Sequence, residues 1–291
     1  MKHSTLLLIS ILISLAVASC SPEKSPPMPA SHAAASSMKN AANTDYRTQM
    51  PYGSAPRNPD LGLPSNFSKS SGVTFSRVSV PGPYVALTFD DGPHASNTPR
   101  LLDILRARNV KATFYVIGKN VDLYPNIVRR TVAEGHELGN HTYTHPKLSA
   151  LGQDRVFSEI RKCDDAIMRA AGVRPRTLRP PYGALTQAQR VSIHSTFGYP
   201  TIMWAVDPLD WKRPGVSVVT SRIVSATSNG SIILVHDLHA SSVDAMPATI
   251  DALLRKGYKF VTVSQLLAMG GSASASINPQ PSALAQSQVG E

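Results

Sequence analysis

Tyr84-Val85-Ala86-Leu87-Thr88-Phe89-Asp90-Asp91-Gly92-Pro93 runs from an uncharged, largely apolar stretch into two adjacent carboxylates and a turn. Val85 to Phe89 reads as a buried strand, and Gly92-Pro93 marks its end. Just beyond, Thr98 and Pro99 suit the N-cap and first turn of a helix. The unit then repeats. Ala112 to Ile117, His136 to Gly139, Thr177 to Arg179, Thr201 to Val206, Ser231 to Val235 and Lys259 to Val263 also read as strands, with helical patterns between them. Gly135, Gly172, Gly198 and Gly257 stand where a helix end needs positive φ. In the helix expected over Asp154 to Ala171, Val156, Ile160, Cys163 and Ile167 share one apolar face. Strands alternating with helices imply an α/β fold on a parallel sheet, here about seven βα units. An open doubly wound sheet would satisfy the pattern, but an incomplete (β/α) barrel is the expectation. Either arrangement gathers its chemistry on loops at the carboxyl ends of the strands.

Outside this body the composition changes. Residues 1–19 carry a basic start (Lys2, His3) and a charge-free, largely apolar stretch from Leu6 to Ala18, the pattern of a signal peptide. Thirteen residues of helix rise only about 20 Å, short of the roughly 30 Å hydrocarbon core, so export rather than a permanent span is expected. Val17-Ala18-Ser19-Cys20 resembles a bacterial lipobox, which makes Cys20 the expected lipidation site. The protein is then expected to be exported and anchored to a bacterial cell membrane, facing the periplasm or the exterior. From Ser21 to Ser76, 26 of 56 residues are Pro, Ser or Ala, so residues 20–76 read as the lipidated cysteine and a linker. Residues 271–291 read as a tail of the same kind, leaving 77–270 as the folded domain.

Charge and cysteines exclude other classes. The chain's formal charge is +10, yet residues 78–270 hold 22 basic and 15 acidic side chains without a run of like charge, so no nucleic-acid partner is expected. Two cysteines cannot form a disulfide framework. A monomeric folded domain is expected.

The expected strand ends carry Asp90 and Asp91, His141 and His145, Arg179, Asp207, Asp210 and Trp211, and His236. Two imidazoles at i and i+4 face one way on a helical turn, as zinc requires, and catalytic zinc wants a third protein ligand and an open position. Either Asp90 or Asp91 can supply that ligand, leaving the other carboxylate to accept a proton. The residue types alone do not say which.

These residues fall into five ordered motifs: Thr88-Phe89-Asp90-Asp91-Gly92, His141-x-x-x-His145, Arg179-Pro180-Pro181-Tyr182-Gly183, Asp207-x-x-Asp210-Trp211 and Leu234-Val235-His236. Together they resemble the motifs of the polysaccharide deacetylases, carbohydrate esterase family 4, over roughly Tyr84 to Met269. The resemblance implies a distorted (β/α) barrel and a divalent metal, Zn2+ or another such as Co2+. It implies hydrolysis of N-acetyl groups on N-acetylglucosamine polymers. By the same resemblance Asp91, His141 and His145 bind the metal, Asp90 is the base and His236 the acid. Arg179 would orient Asp90, and Asp210 would support His236. The Tyr182 backbone N–H would complete the oxyanion site, while Trp211 and Leu234 line the pocket for the acetyl methyl.

A lipid-tethered, exported enzyme is placed to work on a cell-envelope polymer, which favours peptidoglycan. Chitin-type and poly-N-acetylglucosamine glycans are the alternatives. A non-catalytic glycan-binding protein would be expected to lack a ligand or the base. A non-haem iron oxygenase would leave the second aspartate and His236 without roles.

Overall fold

The computed structural model describes residues 74–270. The expected signal peptide, Cys20, the tail 271–291 and all but the last residues of the linker lie outside them. The described chain is an α/β fold of parallel strands flanked by helices.

Its central strand is β2 (Tyr84–Asp90), with six of seven residues buried, as a strand covered on both faces must be. On one side it pairs with β3 (Thr113–Val116), which pairs with β4 (Glu137–Asn140). On the other it pairs with β6 (Ile232–His236), and its first residues also meet β7 (Lys259–Phe260). All of these pairings are parallel. A separate ladder joins β1 (Thr74–Phe75) to β5 (Thr201–Ile202). Single bridges, Asn140 to Leu178, Leu178 to Thr201 and Val206 to Ile233, carry the neighbour order from β4 round to β6. The barrel is therefore incomplete, with isolated bridges where ladders would close it.

Alternation along β2 and β3 divides the residues between two environments. Val85, Leu87, Phe89, Phe114 and Val116 face outward into the main apolar cluster. There they meet Leu101, Leu102 and Leu105 of α1 (Asn97–Ala107), Ile167 of α4 (Gln153–Ala171), Ile223 of α6 (Val216–Ala226) and Ile250 of α7 (Ala240–Arg255). Each such aliphatic side chain stabilises the fold by about 1.5–3 kcal/mol through burial. The opposite face points into the barrel. Ala86 and Tyr115 pack there with residues of α8 (Val263–Met269), and Thr88 and Asp90 follow at the period-2 positions. α2 (Gly118–Leu123), α3 (Pro125–Ala133) and α5 (Gln187–Phe197) complete the helical layer.

Five expectations need correction. The linker was expected to reach Ser76, but Thr74 and Phe75 form β1, because two residues carry no alternation that a sequence can show. Thr177 to Arg179 pairs only through Leu178, with single bridges to Asn140 and to Thr201, and 201–206 makes a ladder only at Thr201–Ile202 plus the bridge at Val206. The last strand stops at Phe260, since Thr262 and Gln265 form a capping box that opens α8. Finally, Ser96 rather than Thr98 is the N-cap of α1. His94 Nδ1 accepts the Ser96 and Asn97 backbone N–H groups instead, which frees the Thr98 hydroxyl. The glycine expectations hold: Gly135, Gly172, Gly198 and Gly257 all have positive φ.

Candidate active site

Register brings the first two strand ends together. β2 and β6 pair from Ala86 opposite Ile232 to Asp90 opposite His236, so these two groups end adjacent strands side by side. The Asp90 side chain points into the barrel, where Arg179 Nη1 donates to its Oδ1 at 2.6 Å. Arg179 is itself fully buried. Its guanidinium also donates to Thr88 Oγ1 at 2.7 Å and to the Met203 carbonyl at 3.1 Å, and lies 4.2 Å from the centre of the Tyr115 ring. A buried arginine satisfied in this way holds one orientation and fixes the Asp90 carboxylate against it through a short charge-assisted bond.

At Asp91 the chain leaves the strand with φ 74°. That left-handed step turns its carboxylate away from Asp90 and toward the loop after β4. Asp91 Oδ1 lies 3.2 Å from both His141 Nε2 and His145 Nε2. His141 Nδ1 sits 2.7 Å from the Arg179 carbonyl, an acceptor that fixes the proton on Nδ1 and leaves the Nε2 lone pair facing Asp91. The His145 ring packs edge-on against His141 and against Tyr182.

The two histidines were expected on a helical turn, and the structure corrects this. Residues 141–147 form a loop, with φ 67° at Thr142 and 61° at His145. Side chains hold its amides in place of a helical ladder. Asn140 Oδ1 accepts from Thr142 N, Glu159 Oε2 accepts from Tyr143 N and Thr144 N, and Thr142 Oγ1 accepts from His145 N.

Asp91, His141 and His145 present three ligand atoms within 4.8 Å of one another. Asp91 Oδ1 is buried without a hydrogen-bond donor. Lone pairs converging on one point with no donor between them fit a divalent cation, and a carboxylate with two imidazoles is a donor set such ions accept.

Across the site, Asp210 Oδ1 lies 2.9 Å from His236 Nδ1, while its Oδ2 accepts from His236 N at 2.8 Å and Ser242 Oγ at 2.7 Å. Burial lowers the imidazole's affinity for protons, but the Asp210 carboxylate more than offsets it and raises the His236 pKa to about 9. Trp211 and Tyr182 stand exposed at the rim, whereas Leu234 is buried beneath it on the same strand face as His236. Among the described residues, seven other than glycine adopt a left-handed φ, and six of them belong to these rim loops: Asp91, Thr142, His145, Tyr182, Leu209 and Arg213. Strained backbone of this kind persists where surrounding structure holds a functional geometry.

Comparison with known proteins accords with this geometry. The polysaccharide deacetylase family profile matches residues 77–202. A peptidoglycan-N-acetylglucosamine deacetylase of Bacillus cereus is 37% identical over 235 residues, covering 76% of this chain and 85% of its own. The chain belongs to the polysaccharide deacetylase family. It is also 40% identical over 182 residues to the peptidoglycan-N-acetylglucosamine deacetylase PgdA of Listeria monocytogenes, covering 62% of this chain but spanning only 38% of that relative. Among solved structures, a carbohydrate esterase family 4 pseudoenzyme from Bacillus anthracis superposes with a TM-score of 0.64 at 32% identity, covering 68% of this chain and 69% of that one.

Several residues that shape this deacetylase-family site escape the motif reading. Glu159 lies on the apolar face of α4, between Val156 and Ile160, and a charge placed there is a signal that it has a buried partner. Asn140 and Tyr115 carry no such signal, because a strand-end Asn or an apolar-run Tyr is ordinary. Asp237, fully buried behind Gly92, follows His236 and reads as part of a turn.

Proposed function

We propose that this protein is a metal-dependent hydrolase that removes N-acetyl groups from N-acetylglucosamine residues of a cell-envelope polysaccharide, with peptidoglycan as substrate and zinc as metal. The observation that carries the reading is the register pairing of Asp90 with His236, a carboxylate and an imidazolium side by side next to the Asp91–His141–His145 cluster. A divalent cation bound there would polarise the amide carbonyl and acidify water. Asp90, oriented by Arg179, takes the proton of the attacking water. His236 stays protonated at neutral pH because Asp210 holds its Nδ1 side, and it gives a proton to the departing amine. A new C–O bond then replaces the C–N bond, and acetate and a free amine leave. The Tyr182 N–H is assigned to the developing oxyanion, and Trp211 and Leu234 to the acetyl methyl.

The names of the Bacillus cereus and Listeria relatives support peptidoglycan over chitin-type or poly-N-acetylglucosamine chains. Non-catalytic glycan binding is the rival that the pseudoenzyme neighbour makes concrete, and the presence of ligand cluster, base and acid together argues against it. The reading includes export, an acylated Cys20 and a monomeric catalytic domain tethered at a bacterial membrane; the leader and lipobox residues support this part. Purified protein loaded with zinc and incubated with each of the three glycans should release acetate, most rapidly from peptidoglycan. Release should cease with a chelator and return on metal addition. No acetate from any glycan by metal-loaded protein would overturn the reading.

A further inference from the structure

Asp237 is fully buried, and burial raises its pKa to about 7. The reaction leaves it without a role. Thr98 Oγ1 donates to its Oδ2, whereas Oδ1 has no hydrogen-bond partner. A buried carboxyl with one donor and one orphaned oxygen costs stability, so its presence calls for an explanation. Its surroundings supply one. The carboxyl lies directly against Gly92, the residue after Asp91, and a Cβ on Gly92 would come within 2.6 and 2.7 Å of its two oxygens. On its other side Gly92 is held by the Ile117 N–H, which donates to the Gly92 carbonyl at 3.0 Å. The same threonine hydroxyl that binds Asp237 accepts His94 N at 2.7 Å. Neighbouring bonds follow the same seam: Asn97 Nδ2 donates to the Leu238 carbonyl, and Arg100 reaches the Ala240 carbonyl and Asp244. The segment after the Asp91 turn is thereby fastened to the segment after His236.

We propose that Asp237 is a positioning residue: with Thr98 it wedges the Asp91–Gly92–Pro93 turn against the strand end that carries His236, and so sets where the Asp91 carboxylate meets His141 and His145. The inference rests on reading those three residues as metal ligands. Groups that orient a ligand in this way typically change metal affinity 10- to 100-fold when removed.

Zinc dissociation constants, measured by competition with a chromogenic chelator, test it. Asp237→Ala should bind zinc about 10- to 100-fold more weakly. Asp237→Asn, which keeps the shape and the acceptor for Thr98, should stay within about threefold of the parent, well short of that loss. Gly92→Ala should also weaken binding, because its methyl collides with Asp237. Combined with Asp237→Ala that methyl has room, so the double variant should bind no worse than Asp237→Ala alone, a non-additivity expected only of groups in contact. A folded Asp237→Ala protein with parental zinc affinity, or strictly additive losses in the double variant, would overturn the proposal. Should Asp237→Ala not fold, Thr98→Val decides: affinity lowered supports the wedge, and affinity unchanged ends it. Parent protein that binds no zinc would instead refute the ligand assignment itself.

Discussion

Asp90 and Asp91 are neighbours with one chemistry, and only backbone direction separates them. Asp90 is still on the strand and faces Arg179, while φ 74° at Asp91 swings the next carboxylate to the histidines. The residue types alone leave this choice open, because a strand-end turn can present either carboxylate. Asp91→Asn should therefore lose metal and activity, with partial rescue by excess metal. Asp90→Asn should keep its metal but react about 10²–10⁴ times more slowly, a barrier increase of roughly 3–5 kcal/mol. Metal analysis of both purified variants checks this, and a metal-free Asp90→Asn beside a loaded Asp91→Asn would reverse the roles. At His236 the sign follows from Asp210, whose carboxylate stabilises the protonated ring. The alkaline limb of kcat/KM should fall near pH 9, and Asp210→Asn should move it down by about 1 to 3 pH units. Because the folded pKa lies above the ordinary 6.5, the imidazole's contribution is complete below pH 6.5, for as long as Asp210 stays ionised, and is lost as pH rises through about 9. A limb that stays in place in Asp210→Asn would remove Asp210 from this role.

Among the elements, β2, β3, β6 and α4 are legible in the sequence because each is long enough, or buried enough, to show a period. β1 and the bridge at Leu178 are not, since their pairing is set by what lies beside them. The loop after β4 shows the limit best. Spacing of i and i+4 suits a helix, but Asn140 and Glu159 bind the loop amides first and force two left-handed residues. β4 also contains Gly139, where a Cβ would lie 2.3 Å from Tyr115 Cε1, and the Tyr115 ring underlies Arg179. Gly139→Ala should destabilise the protein by about 1–3 kcal/mol by overpacking. It should also slow the reaction, since the displaced ring carries the arginine that orients Asp90. Urea unfolding and initial rates read the two effects, and a variant of parental stability would show that the ring gives way freely.

For the whole molecule, the barrel interior carries buried charge at both ends: Arg179 and Asp90 occupy the end that carries the site, and Glu137 is bonded to Thr113 and Ser264 at the other. The main apolar cluster lies outside it, between strands and helices, while a smaller one, Ala86 and Tyr115 with residues of α8, lies within it. Cys20→Ser should release the protein from the membrane fraction while acetate release by the domain stays unchanged; protein that remains membrane-bound would refute the anchor. The loop that carries both histidines has a further consequence. Its amides are already claimed by Asn140, Glu159 and Thr142, none of which is a ligand. A zinc finger collapses when its ion leaves, whereas this loop has no such dependence. Chelation should lower the melting temperature only by mass action, leaving the far-ultraviolet circular dichroism of the loaded form intact. On the proposed reading, an enzyme so constructed would be emptied in metal-poor surroundings and recharged later without refolding, outlasting the supply of its metal.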